Sequence, residues 1–147
     1  MLFFYIPGYS SENGDGWRFL DLESGELSFW YAGPEILGAS ISPDGSQVAY
    51  SQGDSIFISD IARQTITPLV TGITDNPSGN ERTPTWSPTG DRIAYYFNHL
   101  DRTKVELRVV DLAGNLEASH EVYNTQQPPP TWSPDGTKVV CISDGSN

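Results

Sequence analysis

Cysteine is nearly missing from this chain: Cys141 is the only one. An intrachain disulfide is therefore excluded, and so is any multi-cysteine metal site. Histidine is almost as scarce, with His99 and His120 alone. Bases are few: 8 Lys and Arg stand against 19 Asp and Glu, a formal net charge of −11. Such a surface repels phosphate backbones, so nucleic acid is not an expected partner. The acids are spread along the chain without forming a tail, which fits plain solubility. No apolar run reaches the roughly 20 residues of a membrane span, so no membrane insertion is expected. The N-terminal stretch MLFFYIPGYSS has no basic region and no long apolar core, and it does not read as a signal peptide. Helical periodicity is also lacking: no segment keeps it over ten residues.

What is present is apolar, aromatic and turn-rich. Hydrophobic residues make up 37% of 147, with four Trp, seven Tyr and six Phe, too much for a disordered chain. Fourteen Gly and eleven Pro punctuate it. One short sentence recurs: ASISPDGSQVAY, PTWSPTGDRIAY and PTWSPDGTKVVC. Ile41, Trp86 and Trp132 fall at the same place in it, 45 and 46 residues apart. Its centre is Ser42-Pro43-Asp44-Gly45, then Ser87-Pro88-Thr89-Gly90, then Ser133-Pro134-Asp135-Gly136. Pro presets φ for the second turn position and Gly accepts positive φ at the exit. Apolar residues flank the turn on both sides, which is a β-hairpin pattern.

Each hairpin is followed by an alternating strand that ends in Asp21, Asp60 or Asp111, then Leu or Ile, a small turn and one more strand. One period therefore holds four short strands, A to D, with the Ser-Pro turn between A and B. Setting Phe3 against Ile93 puts Tyr5 on Tyr95 and Asp21 on Asp111, eighteen residues on in both. The chain then reads BCD, ABCD, ABCD, AB. Four strands repeated about every 45 residues predict an all-β fold of β-propeller blades, about three in this chain. The expected blade segments are 2–36, 37–81, 82–127 and 128–147, in one partial propeller domain. Cys141, aligned with Tyr50 and Tyr95, is expected at a buried strand position. The Gln126–Pro130 stretch reads as a stiff connector from D to A.

The repeated sentence and the later strand resemble the PD40, or WD40-like, repeats of TolB-type β-propellers. The resemblance covers nearly the whole chain. It implies a propeller of six or more blades, often exported, hence a periplasmic or extracellular location. Repeats of this kind also occur in the propellers of prolyl-oligopeptidase-like serine peptidases and of some polysaccharide lyases. Ile41 stands where the repeat usually has Trp, and Thr89 where the turn usually has Asp. Three blades do not close a ring. The expectation is the remainder of a longer chain, with a homodimer completing six blades as the second choice.

Chemistry is thin. No G-x-S-x-G elbow accompanies His99, placed in a B–C loop, or His120, in a D strand. No His or Cys spacing suggests zinc. Asp15, Asp75 and Glu81, in glycine- and asparagine-rich loops, are weak calcium candidates, and polar hairpin tips explain them as well. Trp86, Trp132 and the Trp30–Tyr31 pair are better explained by packing than as contact surfaces. No cofactor is expected. The sequence thus points to a non-catalytic binding or scaffold module with a protein or peptide partner. The alternative is the substrate-gating propeller of a serine peptidase whose catalytic domain lies elsewhere.

Overall fold

The computed structural model describes residues 2–6, 16–31, 36, 38–72, 83–99, 105–122 and 128–141. Among them there is no helix, and every sheet is antiparallel. The chain divides into two compact units, Met1–Glu35 and Ile36–Asn147.

The first unit is a three-stranded sheet of β1 (Leu2–Ile6), β2 (Gly16–Leu20) and β3 (Leu27–Tyr31), in that order. Phe19 and Trp30 are buried, with ring centroids 5.9 Å apart, so Trp30 packs and does not present an open face. After β2 the chain turns on Asp21, whose carboxylate accepts the N–H groups of Glu23 and Ser24. Gly25, at φ 71°, closes the turn by donating to the Asp21 carbonyl. The register corrects the sequence alignment by one residue. Leu2 lies opposite Leu20, as Ile93 lies opposite Val110. Both partners directly precede the turn aspartate, so Leu2, not Phe3, is the counterpart of Ile93. The eighteen-residue interval misled because the first B–C connection is one residue longer.

The second unit holds two four-stranded sheets and a hairpin. The first comprises β4 (Gly38–Ile41), β5 (Gln47–Gln52), β6 (Ser55–Asp60) and β7 (Ile66–Thr71). The next comprises β8 (Thr85–Trp86), β9 (Arg92–Asn98), β10 (Val105–Asp111) and β11 (Leu116–Val122). The hairpin is β12 (Thr131–Trp132) with β13 (Val139–Val140). The strand order is BCD, ABCD, ABCD, AB, that of partial propeller blades.

The core lies in the seams between sheets. Ala49 and Ile56 of one sheet meet Trp86, Ile93, Tyr95, Phe97 and Val110 of the next. On the far side, Ala94, Tyr96, Leu107 and Val122 pack with Trp132, Val139 and Cys141. Alternate residues of β9 therefore enter two different seams. A strand buried on both faces must be continuously apolar, which explains Ile93-Ala94-Tyr95-Tyr96-Phe97. Burying a side chain such as Ile93, which is fully enclosed, contributes roughly 1.5–3 kcal/mol.

Candidate functional site

The innermost strands β4, β8 and β12 form a continuous wall, and the Ser-Pro turns set its geometry. In the first turn, Ser42 Oγ donates to Asp44 Oδ1 at 2.6 Å and accepts from Gln47 N at 2.9 Å. Gly45, at φ 74°, donates its N–H to the Ser42 carbonyl. The hairpin turn repeats this: Ser133 Oγ donates to Asp135 Oδ1 at 2.6 Å and accepts from Lys138 N at 2.9 Å. Ser42 and Ser87 are buried, and these bonds satisfy them. The hydroxyls hold the carboxylates ionised. The Ser42 hydroxyl lowers the Asp44 carboxyl below its ordinary value, and Ser133 with Thr137 brings Asp135 to about 2.

Successive turns lie against one another. A Cβ on Gly90 would lie 3.7 Å from Pro43, and one on Gly136 would come within 3.2 Å of Thr89. Trp132 Nε1 donates to the Thr85 carbonyl across the seam at 3.2 Å. Gly38 is required because a Cβ there would collide with Thr83. Together the three segments line a groove of about 470 Å³. Its walls are Ile41, Thr85, Trp86, Thr131, Trp132 and the serines and prolines around the turns, with no titratable group among them.

A second groove, of about 350 Å³, opens where the hairpin meets β10 and β11. Leu107, Val109, Ala118, His120, Trp132 and Val139 line it, beside the ion pair from Arg92 Nε to Glu117 Oε2 at 2.7 Å.

A polar cluster that sequence reasoning missed sits on β9 and β10. Glu106 receives Arg108 Nε on one oxygen and lies against His99 Nε2 with the other, both at 2.8 Å. The Arg108 guanidinium stacks 3.7 Å over the Phe97 ring, and His99 meets that ring edge-on. Arg108 holds the Glu106 carboxyl below its usual range, against its burial and with help from His99. Burial raises the Tyr95 phenol, and Arg108 opposes the shift. His99 is thus tied into a half-buried pair rather than free at a loop tip. The only sequence signal was the pairing of Glu106 opposite Phe97, which needs the register.

The repeat residues Ser42, Pro43, Asp44, Gly45, Ser87, Pro88, Gly90, Ser133, Pro134, Asp135 and Gly136 all fall at A–B turns, with Trp86 and Trp132 just before them. Cys141 follows β13 and is half-buried. Asp15, Asp75 and Glu81 lie outside the described residues. Among the described residues no group of three or more His, Cys, Asp or Glu side chains is placed to hold a metal ion, and no helix is long and apolar enough to cross a membrane.

No family model and no curated protein matches the chain. Solved structures do. A putative TolB from Agrobacterium tumefaciens aligns at TM-score 0.66 and 18% identity, over 97% of this chain and 55% of that one. An oligogalacturonate lyase from Vibrio parahaemolyticus aligns at TM-score 0.65 and 17% identity, over 90% and 40%. An acylaminoacyl peptidase from Pyrococcus horikoshii aligns at TM-score 0.58 and 15% identity, over 99% and 29%. The likeness shows the fold alone: antiparallel sheets like the blades of TolB-like and related β-propeller domains. The chain spans about half the length of the putative TolB.

Proposed function

We propose that this chain is a non-catalytic propeller module that holds a protein partner, built from repeats of the PD40 kind. The observation that carries this reading is the inner-wall groove. Its sides are indole, proline and aliphatic surface, and its polar groups are backbone, serine and threonine, without an acid, base or cation. Such a wall suits an extended, uncharged peptide segment, which buries apolar surface there and bonds through its backbone. The likeness to the putative TolB supports a protein-contact role and, with it, a periplasmic location. No cofactor enters this reading.

The likeness to the acylaminoacyl peptidase supports a second reading, a gating propeller that admits peptides to a catalytic domain elsewhere. One experiment weighs both. Arrayed uncharged peptides are titrated against the chain while Trp emission is followed, and the same peptides are assayed for cleavage. Saturable binding that Thr131→Arg abolishes, without cleavage, is the expected result. Binding untouched by that substitution would move the site away from the inner wall. Peptide cleavage would overturn the non-catalytic reading.

A further inference from the structure

We infer that the inner-wall groove reads polyproline: it takes a segment with proline at every third residue and a basic residue beside the proline run. This rests on the peptide-binding reading above and names the class of peptide. The groove is built as a ladder. Ile41, Trp86 and Trp132 stand at one repeat position, on β4, β8 and β12, and all three line it. Pro43, Pro88 and Pro134, two residues on, form a second tier that is exposed to solvent. The rungs belong to successive sheets, so their spacing is that of sheets packed face to face, about 10 Å. A polyproline II helix rises about 3.1 Å per residue with about three residues per turn, so its equivalent side chains recur about every 9.3 Å. A β-strand rises about 3.3 Å and alternates faces, so its equivalent side chains recur at about 6.6 or 13 Å. The first period matches the ladder and the second does not. Three rungs span about 20 Å, which prolines at positions i, i+3 and i+6 of one segment cover.

The unused polar groups of the wall fit the same ligand. Trp132 donates its indole N–H to the Thr85 carbonyl. Trp86, at the equivalent position, is 8% exposed, and its Nε1 is buried without a partner, as is the Thr85 hydroxyl. A proline-rich segment offers backbone carbonyls to such donors and brings few N–H groups of its own to satisfy. Its conformation is set before binding, so little order is lost on docking against indole and proline surface. The rim supplies the charge. Asp44 and Asp135 directly follow Pro43 and Pro134, and Asp91 lies just beyond Pro88. Hydrogen bonds from Ser42, Thr89 and Ser133 hold these carboxylates ionised. No base lines the groove. The seated core of the ligand stays uncharged, while an arginine or lysine at its end is drawn to the rim and an acid is repelled.

The test varies the ligand, so a folding defect cannot imitate its result. Uncharged peptides of about twelve residues and equal composition carry three prolines at every second, every third or every fourth position. Each is titrated against the unaltered chain by calorimetry. Every-third spacing is expected to bind about tenfold tighter than either of the others. An arginine added beside that proline run should tighten binding several-fold at low salt, and a glutamate there should weaken it. Thr131→Arg, at an exposed position on β12 that lines the groove, should abolish binding. Equal affinity for the three spacings overturns the inference and leaves the peptide-binding reading standing. Failure of every peptide to bind overturns both. Binding that Thr131→Arg leaves intact puts the ligand off the ladder and overturns the inference. Equal affinity with arginine and with glutamate overturns the basic flank.

Discussion

Asp91 accepts the hydroxyl of Thr89 across Gly90, with Oδ1 and Oγ1 2.5 Å apart. In the neighbouring turns the order is reversed: Asp44 precedes the glycine and Ser46 follows it, and Asp135 precedes with Thr137 following. The exchange keeps one carboxylate and one hydroxyl on the turn. The Ser87 hydroxyl still reaches the carboxylate, at 3.0 Å. A residue that reads as a departure from the repeat is half of a compensated swap.

Restoring the common order tests this. Thr89→Asp with Asp91→Ser should leave the thermal midpoint close to that of the natural chain. Asp91→Ala alone should lower it, since Ser87 and Thr89 lose their acceptor. Paired thermal melts, read as a double-mutant cycle, show the coupling.

Acid should loosen the chain in a defined window. The folded pKa of Asp135 is depressed to about 2 from an ordinary 3.8. A depressed carboxyl contributes stability that is complete above its unfolded value and is lost as pH falls through the folded one. Asp44, Asp91 and Asp111 shift in the same direction. Stability should therefore hold above about pH 5 and fall between about pH 4 and pH 2. Asp135→Asn should flatten that fall, as denaturant midpoints across the range would show.

The Glu106 cluster should act as a structural tie. Glu106→Gln removes the charge that Arg108 and His99 share. A loss of about 1–2 kcal/mol is expected. His99→Gln should cost less, because the Arg108 bond remains. Urea unfolding of the two variants ranks them, and equal losses would contradict the arrangement.

The seam between the full sheets should be the energetic centre. Ile93 is completely buried between β8–β11 and the preceding sheet. Ile93→Ala should cost about 2–5 kcal/mol. Ile66→Ala, on the exposed β7, should change little. Chemical denaturation of both would show the contrast.

Glycines at turns should differ by their neighbours. Gly45 has φ 74° and open space around a would-be Cβ, so Gly45→Ala should cost about 1–2 kcal/mol for the backbone alone. Gly114 has φ 82°, and a Cβ there would strike the Leu69 carbonyl oxygen. Gly114→Ala should cost clearly more, and equal thermal midpoints would contradict the close approach.

Much of the architecture was legible because its signals are local. Pro43, Pro88 and Pro134 with their glycines mark the A–B turns, and Asp21, Asp60 and Asp111 mark the C–D turns. A fixed period then orders the strands. What stayed hidden depends on distance through space. The one-residue slip at Leu2 needed hydrogen-bond register. Glu106, Arg108 and His99 come together only once β9 and β10 align. The role of Asp91 was masked because a swap across Gly90 looks like a loss when positions are compared singly. The inner-wall groove needs three blades side by side, which no single repeat displays.

The contacts of Gly90 and Gly136 with the preceding turn set where the repeat can vary. A side chain at Gly136 would press on Thr89 at 3.2 Å, and one at Gly90 would meet Pro43 at an ordinary 3.7 Å, so a residue added at either turn would disturb the neighbouring blade as well. Among the described residues of the opposite rim, Gly53 and Asp54 suffice to join β5 to β6, and a Cβ on Gly53 would meet open space. An insertion between Gly53 and Asp54 should therefore be tolerated better than one at Gly136.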